Sequence, residues 1–135
     1  VVDASVVVKL FLLEEGTEAV EQLLHSEFLL MAPDLAAIEV ANAVLSAAGR
    51  QRVDATVALE VVHRLEEGRI LLVPSPRFLA RATEIALLLR HPIYDCLYLA
   101  CAEEHDAPLV TADRRFLQAV AGTAFADRVR LLGAP

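Results

Sequence analysis

Four carboxylates stand where carboxylates are costly, and their positions define the chemistry open to this chain. Asp3 is third in VVDASVVVKL, between two valines and a run that is almost wholly apolar. Glu39 lies inside LAAIEVANAVLSAA, Asp95 near the start of YDCLYLACAEE, and Asp113 directly after PLVTA. An ionised carboxylate at a buried element is expensive unless something pairs with it, and few basic residues lie close in sequence to these four. Like charges brought together need a cation. Oxygen-only ligands select hard ions, Mg²⁺ or Mn²⁺, which keep several waters and bind through carboxylates plus substrate phosphate. The chemistry implied is metal-assisted hydrolysis of a phosphoryl or phosphodiester bond.

Each acid also has a plainer reading. Asp3 suits a turn in which its side chain bonds the backbone near Ser5. Asp113, ahead of RRFLQAV, is a good N-cap, although capping and metal binding can coexist. Asp95 falls in the first turn of a helix, where the dipole favours a negative charge. Glu39 is harder to explain away, because an apolar surface nearly all round marks a buried helix. Steps of three and four place it with Asn42 and Ser46 on one narrow polar stripe.

The elements that would position these acids follow from the apolar pattern. VVD at 1–3, FLLMAP from 28, ILLVP from 70, PLVTAD from 108 and VRLL from 129 are short apolar runs bounded by turn or polar residues, and they read as buried strands. Between them come helical patterns: EGTEAVEQLLHS, PDLAAIEVANAVLSAAGR, VDATVALEVVHRLEEG, PRFLARATEIALLLR, YDCLYLACAEEH and DRRFLQAV. Helical crossovers require parallel strands covered on both faces, so the expected fold is α/β, a three-layer α/β/α sandwich around a short, mostly parallel sheet. Asp3 and Asp113 then sit at carboxyl ends of strands, the side of an open sheet where ligands bind.

Composition narrows the alternatives. With 135 residues the chain is expected to form one domain, residues 1–135. Apolar residues are 56% of the sequence, but charges interrupt every stretch well before the roughly 20 residues of a membrane span. No membrane segment and no signal peptide are expected, and the cytoplasm is the default location. The sequence starts at Val1, so one or more residues are expected to precede it. A net charge of −7 argues against a broad electrostatic footprint for nucleic acid, although the 12 basic residues are eleven arginines and Lys9, and arginine grips phosphate bidentately. Cys96 and Cys101 fit no zinc or redox spacing and are expected to pack. His25, His63, His91 and His105 have no ligand spacing either.

VVDASV, PDLAAIEVANAV and YDCLYLACAEEHDAPLVTAD followed by RRF, in that order over essentially the whole chain, resemble a PIN-domain nuclease. More narrowly, the chain is similar to VapC-type toxins of prokaryotic toxin–antitoxin pairs. The resemblance implies an endoribonuclease dependent on Mg²⁺ or Mn²⁺, whose four acids correspond to Asp3, Glu39, Asp95 and Asp113, with Ser5, Thr111 and Asn42 helping to hold the acidic cluster or its water. It also implies an RNA substrate, a small antitoxin that covers the cleft, and a homodimer formed through apolar helices. Where some members carry a further acid a few positions after the last aspartate, this chain has Arg114, Arg115 and Phe116, which leaves open whether one metal ion is held or two. Arg114 and Arg115 are expected to orient the RNA.

Other ways of using acids at strand ends fit less well. A response-regulator receiver needs a lysine at a late strand end, and the only lysine is Lys9. A haloacid-dehalogenase-like phosphatase needs an aspartate two after the first, where Ser5 stands. The remaining alternative is a catalytically inactive PIN-like interaction module, distinguished by whether the four acids converge.

Overall fold

A computed structural model describes residues 1–12 and 17–134. Five short parallel segments build the sheet. Val2 bridges Val110, its N–H donates to the Met31 carbonyl at 3.0 Å, and the Asp3 N–H donates to the Val110 carbonyl at 3.2 Å. Residues 1–3 therefore lie between β1 (Met31–Pro33) and β3 (Leu109–Thr111). β1 pairs outward with β2 (Leu71–Val73) in the register Met31 to Leu71, and β3 pairs outward with β4 (Val129–Leu131) in the register Leu109 to Val129. The order across the sheet is β2, β1, residues 1–3, β3, β4, and the direction of strand progression reverses between residues 1–3 and β3. That is the switch point beside which open parallel sheets bind ligands.

The helices follow from this order. α1 (Ala4–Leu12), α2 (Thr17–Leu24), α3 (Leu35–Gly49) and α4 (Ala55–Glu66) come before the turn back; α5 (Leu79–Leu89), α6 (Ile93–Glu104) and α7 (Arg114–Val120) come after it. Right-handed crossovers place two such sets on opposite faces. Accordingly α1 packs on α2 and α3, and α3 on α4, while α5 packs on α6 and α6 reaches both β1 and β3. The α/β/α layering expected from the alternating pattern is the one observed. No single described helix is long and apolar enough to cross a membrane.

One element was not foreseen and one local reading needs correction. The run after Asp3 is helix α1, which the apolar pattern did not announce because Val6, Val7 and Val8 are β-branched and poor helix formers by a few tenths of a kcal/mol each. Burial outweighs that cost. Val6 and Val7 are both 2% exposed, and full burial of a valine is worth about 1.5–3 kcal/mol. Conversely α3 is not buried all round: Ala36, Val40, Val44 and Ala47 face the core, whereas Ile38 is 69% and Leu45 65% exposed. The start of the helix expected from Glu15 lies outside the described residues.

The carboxyl ends of β1 and β2 are fastened by Asp34 and Ser75. Asp34 Oδ1 accepts from the Ser75 N–H at 2.9 Å and from its hydroxyl, and Ser75 Oγ accepts the Leu35 N–H at 3.1 Å. α3 is thus capped from the end of β2 rather than by its own preceding residue, and these bonds hold the Asp34 carboxyl below its ordinary range. The consequence is positional, because α3 carries Glu39 from a start fixed to two strands. Cys96 and Cys101 are free and buried on α6, and burial pushes both thiols up to about 11.

Candidate active site

Asp3 is 7% exposed, and the backbone and neighbouring hydroxyls pair it. Its carbonyl accepts the first helical bonds of α1, from Val6 at 3.1 Å and Val7 at 3.2 Å. Its Oδ1 accepts the Val6 N–H at 3.1 Å and the Ser5 hydroxyl, which makes Asp3 the N-cap of α1. The fully buried Thr111 adds a third hydrogen bond. These donors favour the charged form, yet desolvation is larger and pushes the carboxyl up to about 6, with the charge of Asp95 adding to the rise. The turn reading of Asp3 and its candidacy as a ligand therefore coexist in one carboxylate.

Ser5 and Thr111 connect this cap to the neighbouring strand end. Ser5 Oγ accepts the Ala112 N–H at 2.9 Å, and Thr111 Oγ1 accepts the Asp113 N–H at 2.9 Å. Both hydroxyls thus face Asp3 and brace the backbone that leads to Asp113. Asp113 itself caps α7, its Oδ1 accepting from Arg115 N–H at 2.7 Å and from Phe116 N–H at 3.4 Å. One oxygen takes both bonds.

Glu39 enters from the opposite side of residues 1–3. It is half-buried on α3 and accepts a short hydrogen bond from Tyr98 of α6, 59 positions away in sequence. Burial raises the Glu39 carboxyl, the Tyr98 bond opposes the rise, and the Asp95 charge reinforces it. The Tyr98 phenol is raised in turn, first by burial and then by Glu39 and Asp3. Its oxygen also meets the Ala4 backbone N–H, so Tyr98 links α6, α3 and the first turn of α1. Asp95, in the first turn of α6, bonds His91 Nε2 at 2.6 Å.

The structure therefore brings Asp3, Glu39 and Asp95 into one electrostatic group, with Asp95 acting on both of the others. Asp113 joins through the shared backbone and the Ser5 and Thr111 hydroxyls rather than through its charge. Asn42 is exposed on α3, and among the described residues no hydrogen bond ties it to the cluster. None of the arginine ion pairs among the described residues involves the four acids; they serve Glu60, Glu84, Glu103, Glu104 and Asp106. Arg114 and Arg115 are exposed at the start of α7, where the helix dipole disfavours cations. An external anion would reverse that penalty.

The donor chemistry fits a hard divalent ion: carboxylate oxygens with hydroxyls behind them. As the side chains stand, no group of three or more His, Cys, Asp or Glu among the described residues is gathered closely enough to hold an ion. Three of the acids have partners of their own: Glu39 accepts from Tyr98, Asp95 bonds His91, and Asp113 caps α7. Asp113 Oδ2 is left over by the cap, so that carboxylate need not abandon α7 to serve an ion.

Tyr98 and His91 were not singled out from the sequence. Tyr98 had a signal, because it lies three residues after Asp95 on the same helix face. His91 had only its proximity to Asp95.

Comparison with known proteins gives two matches. The sequence model of the PIN domain family matches residues 1–122. The chain is also 32% identical over 120 residues to Ribonuclease VapC3 of Pyrobaculum aerophilum, covering 87% of this chain and 92% of that protein.

Proposed function

The chain belongs to the PIN domain family, and from that premise we propose that it is a metal-dependent endoribonuclease, the toxin of a VapC-type toxin–antitoxin pair. The observation that carries this reading is the charge group itself: Asp3, Glu39 and Asp95 come from three elements distant in sequence, and Asp95 acts on the other two without an arginine among them. A purely structural cluster would pair such acids with arginine, and among the described residues the basic side chain that meets Asp95 is instead His91. The similarity to a ribonuclease over most of both chains supports the same substrate class.

Asp3, Glu39 and Asp95 would hold Mg²⁺ or Mn²⁺, with Asp113 contributing its uncommitted Oδ2. The ion, when bound, lowers the pKa of a water and takes up charge on the scissile phosphate. The chain's own residues do the rest. Ser5 and Thr111 hold the Asp3 carboxylate by hydrogen bonds, and Tyr98 restrains Glu39. Asp3, whose carboxyl burial pushes up to about 6, would give up its remaining proton in order to hold a cation. Arg114 and Arg115 grip the RNA backbone beside Asp113 through bidentate contacts, a local basic feature on an acidic protein.

RNA carrying a single-stranded loop should be cut in Mg²⁺ or Mn²⁺ and spared when excess chelator is added. Cleavage that continues undiminished in chelator would sink the metal-dependent reading.

The exposed Ile38 and Leu45 of α3, and Leu87 and Leu88 of α5 at 75% and 71% exposure, support the further reading that apolar helix faces join two copies and an antitoxin. Exposed apolar patches of this kind mark interfaces. Light scattering at micromolar concentration should report a dimer, and a larger complex with the product of the neighbouring gene. A monomer indifferent to that product would count against both partners.

A further inference from the structure

The turn between α5 and α6 holds a histidine with unusual firmness. α5 ends at Arg90 in the left-handed region, φ 51°, a conformation that non-glycine residues adopt only when surroundings enforce it. The next N–H, that of His91, returns to the Ala86 carbonyl at 3.2 Å, and Pro92 follows with its fixed φ. The backbone of His91 is therefore fixed from both sides. Its ring is seated as well, 5.1 Å from the ring of Phe116, which is 1% exposed on α7. From this seat Nε2 lies 2.6 Å from Asp95 Oδ2. A carboxylate only accepts, so Nε2 carries the proton and donates.

We infer that His91 is a positioning residue for the cleavage centre: it fixes the orientation of Asp95 and, through Phe116, ties that orientation to the helix that Asp113 caps. The inference rests on the ribonuclease reading above. Its physical content is that one carboxylate oxygen of Asp95, Oδ2, is taken by His91, while the charge of Asp95 reaches Asp3 and Glu39. Phe116 lies three residues after Asp113, so one aromatic contact registers two of the four acids against each other. A side chain that merely closed the α5–α6 turn would need neither the donor nor the ring contact. Hydrogen bonds to ligating carboxylates are typically worth about 10–100-fold in metal affinity or activity.

The test uses the full chain in three forms: wild type, His91→Phe, which keeps an aromatic ring against Phe116 but has no donor, and His91→Gln, whose side-chain amide supplies a donor without the ring. Three quantities are measured: the melting temperature, the affinity for Mn²⁺ followed by its electron paramagnetic resonance signal, and the kcat and KM of RNA cleavage. We expect His91→Phe to melt within a few degrees of wild type, to bind Mn²⁺ about 10–100-fold more weakly, and to lose kcat rather than KM. His91→Gln should recover much of both. Wild-type affinity and kcat in His91→Phe would overturn the proposal. So would equal losses in both variants accompanied by a large fall in melting temperature, which is the signature of a turn-closing role alone. If the wild type neither binds Mn²⁺ nor cuts RNA, the ribonuclease reading itself fails, and this inference fails with it.

Discussion

An Asp95→Asn variant is expected to lose RNA cleavage by at least about 100-fold while folding as the wild type does. The magnitude follows from position: groups one bond removed from a ligand already cost about 10–100-fold, and Asp95 is the acid whose charge reaches both Asp3 and Glu39. Folding should survive because the change keeps the shape of the side chain. The Asn carbonyl can accept from His91, and one source of repulsion on its two neighbours disappears. Initial rates in Mg²⁺, with circular dichroism to check the fold, are sufficient. A variant that cuts RNA at the wild-type rate would remove Asp95 from the centre and leave its bond to His91 as a helix-end contact only.

The second large effect concerns the metal-free protein and pH. The Asp3 carboxyl has a pKa of about 6 in the folded chain against an ordinary value of 3.8. Between those values the folded state holds more protons than the unfolded state, so stability falls as pH rises through the window from about 4 to 6. The full penalty, on the order of 3 kcal/mol for Asp3 alone, is in place above pH 6. Glu39 is raised as well and acts in the same direction. Chelator-treated protein should therefore melt higher at pH 5 than at pH 7, opposite to a protein stabilised by carboxylate ion pairs. Asp3→Asn should flatten that dependence and melt at or above the wild type at pH 7, since an amide oxygen can still cap Val6 and the Ser5 and Thr111 hydroxyls can both donate and accept. Adding Mg²⁺ at a hundred times its dissociation constant should stabilise the wild type by about 2.7 kcal/mol and the variant by much less. If Asp3→Asn melts well below the wild type without metal, the carboxylate is a paired structural group and the unmet charge at the switch point is an illusion.

Asp3 illustrates how far purely local information reaches. Alternating apolar strands and amphipathic helices are encoded locally, because side-chain period is a property of neighbouring residues. Asp3 and Asp113 could accordingly be placed at strand ends, whereas the parts of Ser5 and Thr111 beside them were implied by the family resemblance. The same local reading missed α1, where valines that favour a strand are overruled by a helix cap and by a core built from distant segments. It also treated α3 as buried throughout, whereas Ile38 and Leu45 face outward; an apolar surface says that a partner is wanted, not which side of the molecule provides it.

By itself, then, the sequence determined the layer architecture, the parallel sheet and the place of Asp3 and Asp113 at strand ends, since each depends on spacing along the chain. Only the tertiary structure decided what each acid meets. Tyr98 reaches Glu39 across 59 positions, Ser5 reaches Ala112 across 107, and Asn42 stays in solvent although it shares the helix with Glu39. His91 owes its place over Asp95 to a left-handed residue and an aromatic ring on another helix. The physical reason is the same in every case: periodicity sets the face on which a side chain emerges, but its hydrogen-bond partner and its desolvation depend on the three-dimensional packing of elements that lie far apart in the chain.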